Sequence, residues 1–247
     1  MKPDTRRAAP LVALAIICCF AANSAHADND FIVYSPYVVQ GQSEVEAYGF
    51  SSQDARSKLD GASGYNLSAA HAYTDWWKAE VYFGSFNRDP GGATHLSGYE
   101  FENTFQLTAP GEFWADAGFL ASYEYSKQPN TPDSIEFGPL FEKLSGHLEQ
   151  RLNLIWKRFL GGAGLSNEFR SAYSISYRLN YGTAVLSPGI EAYYRPGDNA
   201  NQIGPVLHGE FRSAAGNELE YSIGEVFGIN RDSPDRTLLA RVEYGFF

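Results

Sequence analysis

The chain ends on "TLLARVEYGFF", residues 237–247. Leu238, Ala240, Val242, Tyr244 and Phe246 share one parity, while Leu239, Arg241, Glu243, Gly245 and Phe247 share the other. An alternation of period two reads as a β-strand with one oily face and one face that carries both charges. What covers the oily face decides the fold.

The same pattern extends upstream. Alternating segments separated by turn residues occur at 43–53, 59–73, 76–87, 95–108, 112–126, 133–143, 146–157, 167–180, 183–195, 201–213, 216–228 and 236–246. Most are longer than the ~5–6 residues usual in soluble sheets and match the ~9–11 residues of a tilted membrane strand. In the fifth segment Phe113, Ala115, Ala117, Phe119, Ala121, Tyr123 and Tyr125 oppose Asp116, Gly118, Ser122 and Glu124. In the eighth, Phe169, Tyr173, Ile175, Tyr177 and Leu179 oppose Glu168, Arg170, Arg178 and Asn180. A Lys or Arg facing lipid at mid-membrane costs ~2–4 kcal/mol, and these apolar faces carry no charge. Glu225 departs from the pattern, near the loop end of its strand, where that cost falls away.

Connections alternate too. Thr74-Asp75, Ala109-Pro110-Gly111, Leu144-Ser145, Tyr181-Gly182 and Ala214-Ala215 are tight, whereas "RDPGGAT", "KQPNTP", "RFLGGAGLS" and "INRDSPD" are longer. Aromatics gather at strand ends, with Trp76, Trp77, Trp114 and Tyr181 on the short-turn side and Trp156, Tyr193 and Tyr194 toward the loops. Two such girdles mark the two membrane interfaces. The expectation is an all-β chain: a single closed antiparallel transmembrane β-barrel of about twelve strands, with short periplasmic turns and longer extracellular loops.

The beginning of the chain agrees. Lys2, Arg6 and Arg7 precede an uncharged apolar run, Leu11 to Ala22, and Ala25-His26-Ala27 suits cleavage before Asp28. That is the pattern of a secretory signal peptide; as helix the run reaches ~18 Å, short of a ~30 Å bilayer core. Ile17 before Cys18, and Cys18 before Cys19, give no small residue to precede a lipidated cysteine. Three regions follow: a cleaved signal peptide at 1–27, an N-terminal extension or start of the first strand at 28–42, and the barrel at 43–247. Pro36 argues against one uninterrupted strand through the extension, which could equally form a periplasmic tail or enter the lumen.

From Asp28 onward the chain holds no cysteine, and 16 Lys+Arg stand against 28 Asp+Glu, a net charge of −12. Disulfide scaffolding and thiolate chemistry are thereby excluded. So acidic a surface argues against nucleic acid as a partner. His71, His95, His147 and His208 lack metal spacing, no phosphate-cradling loop is present, and no cofactor is expected.

The C-terminal strand resembles that of Gram-negative outer-membrane β-barrel proteins. In that family it carries alternating hydrophobics, an aromatic third from the end and a terminal Phe, and is read by the barrel-assembly machinery. Leu238, Ala240, Val242, Tyr244 and Phe246 match this assembly signal in register, with Phe247 as one extra residue. The resemblance implies export to the outer membrane, with lipid and lipopolysaccharide around the barrel. Barrel size and the stretch "EFGPLFEK" at 136–143 are also similar to outer-membrane transporters of the phenol-degradation MetA type.

Twelve strands lie between barrels filled by side chains and those with an open aqueous channel. Parity points Glu44, Glu46, Lys78, Glu80, Glu100, Glu102, Asp116, Glu136, Glu149, Arg151, Arg170, Arg178, Glu191, His208, Glu210, Arg212, Glu220, Arg241 and Glu243 inward. Basic residues concentrate on the seventh, eighth and tenth segments, acidic ones on the first, third, fourth and fifth. Gly84, Gly118, Gly204 and Gly224 leave room between them. Opposed walls of this kind suit a porin-like transport role, a narrow channel for small polar solutes. The alternative is a salt-bridge lattice that fills the barrel. A third reading is a lipid hydrolase, since outer-membrane phospholipases also use twelve strands and a lipid-facing His-x-Ser pair. His95 and Ser97 have that spacing, without the Asn-Gly that follows the serine there. Pro139, Pro188 and Pro205 fall inside strands, where bulges or strand ends are expected.

Overall fold

A computed structural model describes residues 31–161 and 167–247, so the expected signal peptide lies outside the described residues. The strands are β1 (Ser43–Gln53), β2 (Ser63–Ala72), β3 (Trp77–Arg88), β4 (His95–Gln106), β5 (Asp116–Ser126), β6 (Ser134–Ser145) and β7 (Leu148–Phe159), followed by β8 (Glu168–Tyr177), β9 (Leu179–Tyr181), β10 (Ala184–Tyr194), β11 (Gln202–Arg212), β12 (Glu218–Gly228) and β13 (Arg236–Phe246). Apart from β8 and β9, consecutive strands pair antiparallel, and β1 pairs with β13 from Ser43↔Phe246 to Gln53↔Arg236. That last ladder closes the sheet into a ring. Both β8 and β9 pair with β10 in one register and form a single staff of the barrel, so twelve staves close it. The break between them is at Arg178, opposite Ser187 and Pro188. Pro188 has no N–H to give a ladder, and on the other side the Arg178 N–H donates to the His147 carbonyl at 2.8 Å.

Alternation sets the two surfaces. Along β13 Leu238, Val242, Tyr244 and Phe246 are 50%, 46%, 41% and 37% exposed, and Ala240 is exposed on the same face, whereas Leu239 is buried. Val45, Phe83, Phe101, Tyr123, Ile190 and Ile223 continue this oily outer surface around the ring. Such a belt on a closed ring is the outside of a transmembrane barrel, in which no strand edge is left unpaired. Glu225 faces outward near the loop end and stands 3.8 Å from Arg236.

Several local expectations are corrected. The fifth strand begins at Asp116, so Phe113 and Trp114 sit in a turn region, Trp114 being 80% exposed. Side chains build that turn: Asp116 accepts from the Gly111 N–H, Thr108 from that of Ala117 and Glu112 from that of Ala109. The turn is consequently as long as the loops opposite. The second strand begins at Ser63, because Leu59 and Asp60 turn back onto the Arg56 carbonyl.

The prolines do not bulge their strands. Phe137↔Trp156 and Leu140↔Asn153 flank Gly138-Pro139 in one register, as Ile203↔Phe227 and Val206↔Gly224 flank Gly204-Pro205. The ladder opens at each Gly-Pro step and resumes without slipping. A Cβ on Gly138 would lie 1.8 Å from the Leu154 carbonyl oxygen, and one on Gly204 2.0 Å from that of Glu225. Gly138→Ala is therefore expected to destabilise the barrel by about 1–3 kcal/mol. Urea-induced unfolding followed by tryptophan fluorescence in lipid vesicles measures this, and an unchanged midpoint would refute it. True register shifts occur instead in β3, between Tyr65/Ser68 against β2 and around Ser85 against β4. They turn Gly84 toward Leu67 and Phe86 on the outer surface.

Candidate functional site: the occupied lumen

Residues 31–38, "FIVYSPYV", run inside the ring. The Gly41 N–H donates to the Ala72 carbonyl and the Ala72 N–H to that of Gln42, both at 2.9 Å, fixing the neck at the turn-side rim. From there the segment climbs the inner wall, a strand at a time. The Val38 N–H meets Gln106 Oε1 of β4 at 2.8 Å and the Tyr37 hydroxyl meets Asp116 of β5 at 2.6 Å. The Ser35 hydroxyl donates to Glu142 of β6 at 2.7 Å. Asn153 of β7 holds both main-chain groups of Tyr34, accepting from its N–H at 2.7 Å and donating to its carbonyl at 3.0 Å. The Tyr193 hydroxyl of β10, which gives its proton to Glu191, lies 3.3 Å from the Phe31 carbonyl. At ~3.3 Å per extended residue the eight residues reach ~25 Å, most of the barrel's height.

Two apolar seats receive the segment. Leu120, Leu140 and Ile155 point inward from mid-strand, at most 2% exposed, and Tyr34 packs on them. Phe31, Ile32 and Val33 join Tyr48, Phe50, Ala172, Tyr193, Val226 and Leu239 in a second cluster. The Phe31 ring lies 5.3 Å from that of Phe50 and edge-on to Tyr193 at 5.2 Å, with the Arg195 guanidinium 4.4 Å above it. A Cβ on Gly118 would come within 2.7 Å of Pro36, so the room this glycine leaves is taken by the segment.

Around these seats the inward charges are tied together. Lys78 pairs with Glu44 at 2.7 Å, Arg241 with both Glu46 and Glu243, and Arg170 with Glu136. Arg151 bridges Glu142 and Glu149, and Arg178 bridges Glu149 and Glu210. Arg212 joins Glu210 to Glu218, and Lys157 joins Glu124 to Glu136. His208 stands 3.4 Å from Glu191, which also accepts the Tyr193 hydroxyl at 2.6 Å. The basic residues thus form no bare wall: each lies against carboxylates of its own or nearby strands. Glu80 and Glu102 are direct cross-strand neighbours, 8% and 1% exposed, beside Glu100 on the acidic side.

Chambers remain on both sides of the segment. On the turn side about 830 Å³, mouth included, lies among β7 to β13 and β1 beneath Phe31, Ile32 and Val33. Toward the loops about 440 Å³, again with its mouth, is bounded by Asn87, Ser97, Glu100, Glu124, Lys157 and Arg170. Ile32 lines both, so the segment separates them. Over the loop side, Asp54 grips Arg56, which also donates to the carbonyls of Arg231 and Ser233. Its hydrogen bond to the Arg56 guanidinium holds the Asp54 carboxyl down to about 2, so this tie between first and last loops persists across the ordinary pH range.

The register shift in β3 relocates Ser97. It is 4% exposed, lines the loop-side chamber and donates its hydroxyl to the Ser85 carbonyl at 2.8 Å. His95 lies 3.4 Å from the Ala93 carbonyl. The two residues therefore do not form a lipid-facing nucleophile and base.

No known family model matches the chain, and neither does any curated protein. Among solved structures, the COG4313 outer membrane channel from Pseudomonas putida F1 superposes with a TM-score of 0.55 and 13% identity, covering 89% of this chain and 99% of that one. The NanC porin superposes with a TM-score of 0.52 and 10% identity, covering 82% and 99%. At these identities the likeness is one of fold: the chain has the closed barrel of Gram-negative outer-membrane channels.

Proposed function

We propose that this protein is an outer-membrane channel for small polar solutes, closed at rest by residues 31–38. The carrying observation is how the segment is held. Gln106, Asp116, Glu142 and Asn153 grip it through side-chain hydrogen bonds, one or two at a time. Such contacts are lost one by one, unlike a ladder that must break along its length. Charged chambers on either side of the segment supply a polar path once it moves, and the two solved barrels of like fold are a channel and a porin.

Asn153→Ala tests this reading. Two hydrogen bonds at ~1 kcal/mol net each correspond to about thirty-fold in the ratio of unseated to seated segment. In planar bilayers the open probability of the refolded protein is expected to rise by about that factor, with the open-state conductance unchanged. An open probability equal to that of the parent chain would sink the proposal.

A further inference from the structure

We infer that the turn-side chamber is a binding site for a small organic cation, an ammonium carrying a short apolar tail. The inference names the solute class for the channel proposed above and rests on that reading for its role, but not for its test.

Charge is the first argument. Five carboxylates line the chamber, Glu149, Glu191, Glu210, Glu220 and Glu243, against three guanidiniums, Arg151, Arg178 and Arg241. Every guanidinium already holds two carboxylates at 3.1 Å or less. An anion entering here would find its donors engaged and meet the surplus negative charge.

Register supplies the second. Glu210↔Glu220, Glu220↔Glu243 and Glu243↔Glu46 are direct cross-strand partners, so four glutamates stand side by side across β11, β12, β13 and β1. Like charges directly opposite each other destabilise a sheet. Arg178 and Arg212 neutralise Glu210, and Arg241 neutralises Glu243 and Glu46. Glu220, between them, lies within the chamber lining with no ion pair or hydrogen bond to a described residue. At the end of the row Glu46 is 8% exposed, and its Oε1 is buried without a hydrogen-bond partner. Glu220 is thus the member of the row that faces the chamber without an ion pair of its own, whereas Glu46 lies outside the chamber lining and is held by Arg241.

Shape supplies the third. Phe31, Ile32 and Val33 roof the chamber, and Val185, Val206 and Leu239 flank it. A hydrated metal ion has no use for such a roof, and no group of three or more carboxylate or imidazole side chains among the described residues has metal-holding geometry. An alkylammonium fits both: its charge against Glu220, its tail under the segment.

The probe is butylammonium, with butanol as its uncharged and butyrate as its anionic counterpart, each titrated calorimetrically into the full chain in detergent at pH 8. Butylammonium is expected to bind saturably, and Glu220→Gln to weaken it by about ten-fold, the value of one charge-assisted contact. Glu220→Asp keeps the charge and should retain most of the affinity, while unchanged heat-modifiable migration shows that each variant is folded. Butyrate binding as tightly as butylammonium, absence of saturable butylammonium binding, or indifference to Glu220→Gln would each overturn the inference. Binding by a barrel that stays silent in bilayers would sink the channel reading and leave the cation site standing. Conductance without binding would do the reverse.

Discussion

Deletion of residues 31–38 is expected to raise the time-averaged current per channel at least about ten-fold, from a lumen occluded at rest to the passage that twelve strands can enclose. The segment has no part in the barrel ladder, which runs from β1 round to β13 and closes on itself. Removing it exposes the seats at Leu120, Leu140 and Ile155, and at Phe50 and Tyr193, to water. It also joins the two chambers that Ile32 now divides. The outer surface and the charge lattice stay intact, so heat-modifiable migration should remain that of a folded barrel. If the truncated, folded protein conducts no better than the parent, the paired side chains themselves close the lumen, and the filled-barrel reading prevails.

The second large effect concerns the seam. Arg241→Leu is expected to cost about 3 kcal/mol of stability, the low end of what a broken buried ion pair costs, because this guanidinium is partly wetted by the lumen. Arg241 Nε meets Glu46 Oε2 across the β13–β1 ladder at 2.6 Å, and its Nη2 meets Glu243 at 2.6 Å. Without it Glu46 loses its ion pair, and Glu243 and Glu220 keep only the longer-range attraction of Lys78 and Arg151. Adding Glu46→Gln and Glu243→Gln should restore much of the loss, since the cost lies in stranded charge and not in lost packing. Urea unfolding in lipid vesicles measures each variant. Equal stability of Arg241→Leu and its parent, or no recovery in the triple variant, would show that the seam does not depend on this pair.

Much of the architecture was legible because a barrel wall obeys a simple rule. Oily and polar residues alternate, and a one-residue error would turn a whole strand inside out. Leu238 to Phe246 reveal both faces without any knowledge of neighbours. The rule fails where the backbone changes step. Ser97 has the parity of Tyr99 and Phe101 in the sequence, yet the irregularity around Ser85 and Gly98 turns it inward. Trp114 has the parity of the polar residues Asp116 and Gly118, and side-chain capping by Thr108 and Asp116 keeps it out of the strand altogether.

The lumen was harder to read, although a signal was present. Leu120 shares parity with Asp116 and Ser122, and Leu239 with Arg241 and Glu243. Large apolar residues on an otherwise polar inner face need an apolar partner, because water inside a channel would not favour them. "FIVYSPYVV" at 31–39 is the stretch without a strand partner that matches. Pairing the two required knowing which strands curve toward each other across the ring, information that alternation along one strand does not hold. Ion pairs such as Arg178–Glu210 likewise depend on which side chains meet across strands separated by long stretches of chain.

Phe31 rests on Phe50 of the first strand, Tyr34 on wall residues of the fifth to seventh, and the Phe31–Val33 cluster reaches Leu239 of the last. That resting place is assembled from both extremes of the polypeptide and does not exist until the final hairpin has joined the first. Although it precedes every strand in the chain, the 31–38 segment can take this position only once the ring has closed, so its burial records a finished ring.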